Sequence, residues 1–475
     1  MFDVIVIGGG VVGGLVMREA TKYQLKVCLL EKEGDVCMGA SKANSGIVHA
    51  GYDAKPNTLK AKFNVLGNKM MGELCRELGV KYVNNGSLVI AFDEEEKRTL
   101  SALKERGQVN GVEGLEIIDK ERLHGLEGNL SPDAIAALYA PTAGTVCPYG
   151  LTIAAIGNAM DNGGTLYTDY EVVAIKKDTD GYCVQAKDGR ETKAKVVVNC
   201  AGYHGGKIAR MIGDDYPISG RKGEYILVDR ACSGYLSHTV FCTPTEKGKG
   251  ILVTRTVDGN IMFGPTAEEV DEMDASTSVD GLAFVQDRAK KICKNPPLRH
   301  AITSFAGVRA YASTRDFIVK ESDDSQGFFH CIGIESPGLT AAPALAQYVV
   351  EELISRRLPL KKRKDFDGRR APDYFFKDLS REEQNALIKK DAAYGRVVCR
   401  CEGITEGEII RAIRENPPAK DIDGVKRRTR TGMGRCQGGF CQPVVAQLIA
   451  KERGVPIEEV TKKGKGSYLL TGVTK

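Results

Sequence analysis

Residues 2–33, "FDVIVIGGGVVGGLVMREATKYQLKVCLLEKE", read as strand, glycine turn, helix and strand. Val4 to Ile7 is an unbroken apolar run, the pattern of a strand buried on both faces of a parallel sheet. Val11 to Tyr23 has helical character, and Lys26 to Glu31 reads as a second buried strand. Between the first strand and the helix, Gly8, Gly10 and Gly13 spell G-x-G-x-x-G. The first glycine permits the tight turn. The second lets backbone N–H groups approach a pyrophosphate, and the third lets helix and strand pack closely. The helix N-terminus adds partial positive charge for the phosphates. Glu31 ends the second strand 23 residues after Gly8, where a carboxylate binds ribose hydroxyls. The stretch therefore predicts a Rossmann-like dinucleotide site, with Lys32 beside its acid.

Working outward, the chain does not continue quickly into further parallel βα units, as an NAD dehydrogenase would. "GASKANSGIVHAG" (39–51) follows instead, rich in Gly and Ser and carrying His49. A second glycine element, "VVVNCAGYHGG" (196–206), closes another apolar strand, and a third, "IGIESPGLTAAPALAQ" (332–347), enters a helix. Three separated glycine turns suit a long cofactor touched along its whole length, which favours FAD. Expected cofactor contacts are Ser41, Asn44 and Ser45 in the first element, Val172, and Ala201 and Gly202 in the second. The third contributes Gly333, Gly338, Leu339 and Thr340. Its helix N-terminus is expected to face the flavin, with Pro343 in the first turn.

The remaining elements alternate with these. "GSLVIAFDEEEKRTLSALKERG" reads as strand, turn and helix, and a long helix spans about Leu59 to Leu78. Residues 165–202 read as successive strands with hairpins at Asp180–Gly181 and Asp188–Gly189. The expected fold is mixed α/β and α+β. A Rossmann-like FAD-binding domain (about 1–80, 145–215 and 300–355) interleaves with a strand-rich substrate domain (about 81–144 and 216–299). A chain of 475 residues suggests about three units. No basic–apolar–cleavage pattern precedes the first strand, so no secretory signal is expected. The longest apolar stretch contains Glu351 and Glu352 and reads as a buried helix rather than a membrane span.

Several stretches are similar to the glycine/D-amino-acid-oxidase-like flavoproteins, and most similar to their glycerol-3-phosphate oxidase and dehydrogenase branch. They are "SKANSGIVHAGYDAKPNTLKAKFNVLGNKM" (41–70), "GKGILVTRTVDGNIMFGPTA" (248–267), "SFAGVRAYASTRDFIV" (304–319) and "ESPGLTAAPAL" (335–345). L-2-hydroxyglutarate oxidases stand nearby. The resemblance implies oxidation of sn-glycerol 3-phosphate to dihydroxyacetone phosphate, with His49 as the base for the hydroxyl proton. It implies Arg309 as the anion-binding arginine, with Lys249 and Ser336 as further substrate contacts and Arg255 as a weaker one. The family often has proline after that arginine, where this chain has Ala310. A 2-hydroxy acid or an amino acid as substrate, and a flavin half without catalysis, are the alternatives.

The chain holds fourteen cysteines. Most are scattered singly, as in a reducing cytoplasm, and Cys28, Cys200 and Cys331 sit in apolar runs as expected core residues. The last four are different: Cys399-x-Cys401 and Cys436-x4-Cys441 are separated by 34 residues and lie in Gly-rich stretches. Four thiolates suit a [2Fe–2S] cluster, whose sulfurs backbone N–H groups can bond. Structural zinc usually takes C-x2–4-C pairs, so C-x-C fits it less well. The pattern resembles the bacterioferritin-associated-ferredoxin-like [2Fe–2S] domain, over about 396–460. "ITEGEIIRAIREN" and "PVVAQLIAKERG" would be its short helices, and 461–475 a tail.

A basic, irregular run at 356–395 reads as a linker. From Arg356 onward there are 28 Lys and Arg against 16 Asp and Glu, a net of +12, leaving the first 355 residues at −7. Arg427, Arg428 and Arg430 precede the last cysteine pair. They could ease cluster reduction, be solvated, or dock an acidic partner. The cluster offers electrons an exit other than oxygen, so an electron-accepting protein subunit is expected. A cytoplasmic location follows, with peripheral contact to the inner membrane left open. Nucleic acid is excluded: no binding motif is present, and the chain has no Trp.

Overall fold

The computed structural model describes residues 1–244, 250–371 and 375–472. Strand β1 is Phe2–Ile7, helix α1 is Val11–Thr21 and strand β2 is Val27–Leu30. β1 pairs in parallel with β2 on one side and with the strand Glu191–Asn199 on the other. The eight-stranded sheet runs in the order 172–178, 181–186, 191–199, β1, β2, 165–167, with Phe328–Ile332 in parallel against 191–199. Both predicted hairpins are present, at 179–180 and 187–190.

The two faces of β1 explain its unbroken apolar sequence. Val4 and Val6 pack among helix residues such as Leu15, Ile156 and Leu345, whereas Ile5 and Ile7 join Tyr170, Val184 and Phe328 on the opposite face. All four side chains are buried, so none of these four positions tolerates a polar residue. Cys28, Cys200 and Cys331 are buried here too, as expected.

A second sheet of nine strands draws on 87–91, 116–119, 136–140 and five strands between 218 and 270. Its longest pairing joins Ile218–Val228 to Ala301–Ala312. The sequence reading put residues after 300 in a flavin-binding segment. Hydrogen bonding places the strand 301–312 in the second sheet instead, because its register with 218–228 runs nearly its whole length.

The helix at Leu59–Glu77 is capped by Thr58, whose Oγ1 accepts from Ala61 N–H. The helix Gly338–Tyr348 lies against it, and a Cβ on Gly67 would stand 2.0 Å from the Thr340 carbonyl oxygen. Pro343 falls in the helix interior, not in its first turn, because the helix begins at Gly338.

The basic run after Arg356 is strapped to the body. Gln24 N–H donates to Lys361 O and Arg363 N–H to Lys22 O, both at 2.8 Å, while Arg370 N–H donates to Glu77 O at 2.9 Å. Its helix Arg381–Lys390 starts with a Ser380–Glu383 capping box. The C-terminal module has the two expected helices, Glu406–Arg414 and Gln442–Arg453. A third, Ile422–Thr429, lies in the run that sequence showed only as basic. Among the described residues no helix is long and apolar enough to cross a membrane.

Candidate active site and cluster-binding loops

The glycine turn shows why each glycine is there. Gly8 has φ +112°, and a Cβ on it would lie 2.5 Å from Cys200 O. A Cβ on Gly13 would lie 2.0 Å from Gly8 O, so helix α1 could not approach the turn. Gly10 precedes α1 as its N-cap, and Ser41 Oγ accepts from Val11 N–H at 2.9 Å. Glu31 accepts from Gly9 N–H at 2.7 Å and Glu33 N–H at 2.9 Å. Burial pushes its carboxyl up to about 7 although both N–H groups work downward.

These residues open into one cavity of about 750 Å³. The turn contributes Gly8 and Gly10, the segment just after β2 Glu31 and Lys32, and the following loop Ser41, Asn44, Ser45 and His49. Val172, Ala201 and Gly202 line it from the first sheet. Ser336, Gly338 and Leu339 present the start of the 338–348 helix, and Arg309 reaches in from the second sheet. Three expected contacts stand behind this wall. Gly13 holds the turn, Gly333 (φ +67°) packs on Ala312, and Thr340 is fully buried.

Thr340 instead fixes the histidine, since its Oγ1 accepts from the backbone N–H of His49 at 2.9 Å. The carbonyl of His49 accepts from Asn64 Nδ2 at 2.7 Å and Asn68 Nδ2 at 3.1 Å. Both backbone groups are thus held, and Nε2 lies 3.3 Å from Ser336 Oγ. Sequence reading missed Asn64 and Asn68. Their signal was present as two Asn residues four apart, hence on one face of an expected helix.

Arg309 donates from Nη2 to Thr266 O at 3.0 Å, while its Nε is buried with no hydrogen-bond partner in the protein. A buried guanidinium N–H in a cavity wall is a group prepared for an anion. Arg255 does not join it. Its strand turns Thr254 inward, bonded to Thr239 at 2.7 Å, and leaves Arg255 exposed outside the cavity. Lys249 lies outside the described residues. Arg221, which the sequence did not single out, lines the cavity opposite Arg309 in register and pairs with Glu269 at 2.8 Å.

In the C-terminal module, Cys399 and Cys441 are buried, and Cys401 and Cys436 are half-buried. The thiols pair across the two motifs: Cys401 Sγ is 3.5 Å from Cys436 Sγ, and Cys399 bonds Cys441. Two thiolates on one tetrahedral metal stand about 3.8 Å apart for 2.3 Å metal–sulfur bonds. The hydrogen bond from Cys441 draws Cys399 down to about 6, helped by the N–H groups of Gly432 and Glu402. Burial alone would raise Cys436, but Cys401 and the N–H groups of Gly438, Phe440 and Gly439 outweigh it and lower it. Two thiol pairs, with amides aimed at their sulfurs, supply the donor set of an all-cysteine cluster.

The three arginines that precede the last cysteine pair, Arg427, Arg428 and Arg430, are not solvated. Arg427 and Arg428 both bind Asp35 in the loop after β2, the latter with 2.9 Å bonds to each carboxylate oxygen. Arg430 donates to Glu402 at 3.0 Å, Asp258 at 2.7 Å and Asn260 at 3.1 Å. Glu402 follows Cys401 directly, and Arg230, in the turn after the strand 218–228, binds Cys401 O at 2.7 Å. The acidic partner of the basic run is the chain's own flavin half.

Residues 3–352 match the family of FAD dependent oxidoreductases. The chain belongs to that family. Residues 397–451 match the BFD-like [2Fe-2S] binding domain. This FAD-dependent oxidoreductase is 47% identical to a glycerol 3-phosphate dehydrogenase of Caloramator mitchellensis, over 100% of this chain and 99% of that protein. It is 33% identical to a glycerol 3-phosphate oxidase of Mycoplasma genitalium, over 76% of this chain and 96% of the relative. The FAD-bound, dithionite-reduced L-α-glycerophosphate oxidase of Mycoplasma pneumoniae superposes with a TM-score of 0.74 at 31% identity, covering 78% of this chain and 98% of that one. The fold is thus the FAD-binding one expected, with a small [2Fe–2S]-binding domain at the C-terminal end.

Proposed function

We propose that this oxidoreductase converts sn-glycerol 3-phosphate to dihydroxyacetone phosphate and passes the electrons on through its cluster domain to a protein acceptor. Bound FAD supplies the acceptor of the two electrons removed from the secondary alcohol. Arg309 holds the phosphate, using the Nε for which the protein offers no partner. That unpartnered group, on the same cavity as His49, is the observation that carries the reading.

His49 takes the hydroxyl proton at Nε2, with Ser336 steadying the ring from 3.3 Å. Asn64, Asn68 and Thr340 position its backbone and so hold the ring where the alcohol must sit. The glycine turn, Ser41 and Glu31 bind the dinucleotide part of the cofactor. The dehydrogenase relative matches this chain over its whole length, and the oxidase relative over 76% of it. A cluster domain as electron exit accords with that difference. Fourteen free thiols suit a reducing cytoplasm.

Anaerobic titration with glycerol 3-phosphate should bleach the flavin. Bleaching by L-2-hydroxyglutarate or an amino acid, with none by glycerol 3-phosphate, would replace the substrate. His49→Asn should slow bleaching about 100- to 10,000-fold while FAD stays bound. An unchanged rate removes His49 as the base.

A further inference from the structure

The cluster loops have two edges with opposite surroundings. The inner edge is Cys401–Glu402, clamped by Arg430, by Arg230 and by Lys377, which donates to Glu402 O at 2.9 Å. It faces Asp258 and Asn260 of the flavin half. The outer edge is Gly439–Phe440, next to the ligand Cys441. Phe440 is 84% exposed, the joint most exposed large apolar residue of the described chain. Val444, at the start of the following helix, is 38% exposed, and Pro443 beside it is exposed. A phenylalanine left in water on a loop that otherwise aims amides at a thiol does nothing for the fold.

The two cysteine motifs carry exposed cations. Arg400, between the two ligands of the first pair, is exposed and enters no ion pair among the described residues. Arg435 precedes Cys436. It touches Asp229 at 3.1 Å, yet its side chain remains 70% exposed. No exposed carboxylate interrupts 431–444, which contains no Asp or Glu. A small apolar patch beside two exposed arginines, over a redox centre, has the character of a transient electron-transfer surface: small, steered by charge and quick to release.

We propose that the surface formed by Phe440, Pro443 and Val444 with Arg400 and Arg435 docks a small acidic one-electron carrier protein. The inference rests on the C-terminal domain being the electron exit and names the surface and the chemistry of what it serves. The balance is simple: one molecule of glycerol 3-phosphate gives up two electrons and two protons, the protons leave to solvent, and two carriers are each reduced by one electron in succession.

Binding to the full, cofactor-loaded chain tests this without requiring turnover. An acidic flavodoxin and an acidic [2Fe–2S] ferredoxin serve as probes, and basic cytochrome c as the contrast. Binding to at least one acidic carrier, weakening about tenfold as salt rises from about 20 to about 200 mM, is expected, with none to cytochrome c. Arg400→Glu should weaken binding a further tenfold or so, and Phe440→Ser comparably, with the flavin and cluster absorbance unchanged. If Arg400→Glu disturbs the cluster spectrum, Val444→Glu, which lies outside the ligand loops, decides. Preference for cytochrome c, no binding of either acidic carrier, or wild-type binding by Phe440→Ser and Val444→Glu would overturn the assignment. Because binding is read directly, a wrong substrate would leave this result standing.

Discussion

Two loops of this protein are built from glycine for different reasons. In the dinucleotide turn, Gly13 is required because backbone meets backbone: any Cβ would lie 2.0 Å from Gly8 O. In the cluster loop, Gly432 and Gly438 are required because the chain must take positive φ, +88° and +89°. That conformation helps turn the N–H of Gly432 toward Cys399 and the successive N–H groups of 438–440 toward Cys436. The first loop is a steric fit, which a methyl group destroys. The second is an electrostatic cradle, which a methyl group strains. Both halves close over apolar cores of their own, but the cluster domain is fastened to the flavin half by buried arginines on Asp35 and Asp258, with its own Glu402 bracing Arg430.

The largest test of that contrast is Arg430→Met. It leaves Asp258 and Glu402 in a buried setting without their guanidinium, at a cost of about 3–5 kcal/mol. Hydrogen exchange should rise across 397–451 and stay unchanged across 2–30; equal protection in both would show that the ionic knot does not fasten the domain. Gly13→Ala should destabilise the flavin half by about 3 kcal/mol and give protein lacking the flavin band. A yellow variant of normal melting temperature would refute the steric account.

Asp35 gives a pH signature. Burial opposes its charge, but Arg428 and Arg427 outweigh it and hold the carboxyl at about 2. Because the folded value lies below that of the unfolded chain, the stabilisation is complete above about pH 5 and is lost as pH falls toward 2. It amounts to about 2 kcal/mol. Urea unfolding between pH 5 and 2 should show that loss, and Asp35→Asn should flatten it; an unaltered slope would remove the ion pair from the account. The smallest effect is that of Gly438→Ala, about 1–2 kcal/mol for a side chain at positive φ. Cluster absorbance should fade faster in an anaerobic dilution series, with the flavin band unaffected. Equal loss of both bands would show that the two loops are not independent.

Much of the flavin half was legible because its constraints are local. The strand, turn and helix of 2–33 specify one another over a few residues, so β1, α1 and β2 fall within a residue or two of their reading. His49 and Arg309 were legible by resemblance, and the cavity brings them together. Arg255 was not, because which face of a strand points inward depends on the register of its neighbours. The strand 301–312 was misplaced for the same reason. Its partner, 218–228, lies some eighty residues earlier, and no local pattern names it.

The sequence by itself determined the dinucleotide turn, the two spaced cysteine pairs and the order of elements, since each is written as residue type at short spacing. Only the tertiary structure decided where Arg427, Arg428 and Arg430 of the basic C-terminal third go. A run of arginines looks the same whether it faces water, a membrane or a carboxylate hundreds of residues away. Charge acts through space, and its partner is set by the packing that brings Asp35 and Asp258 to the helix 422–429 and its cap.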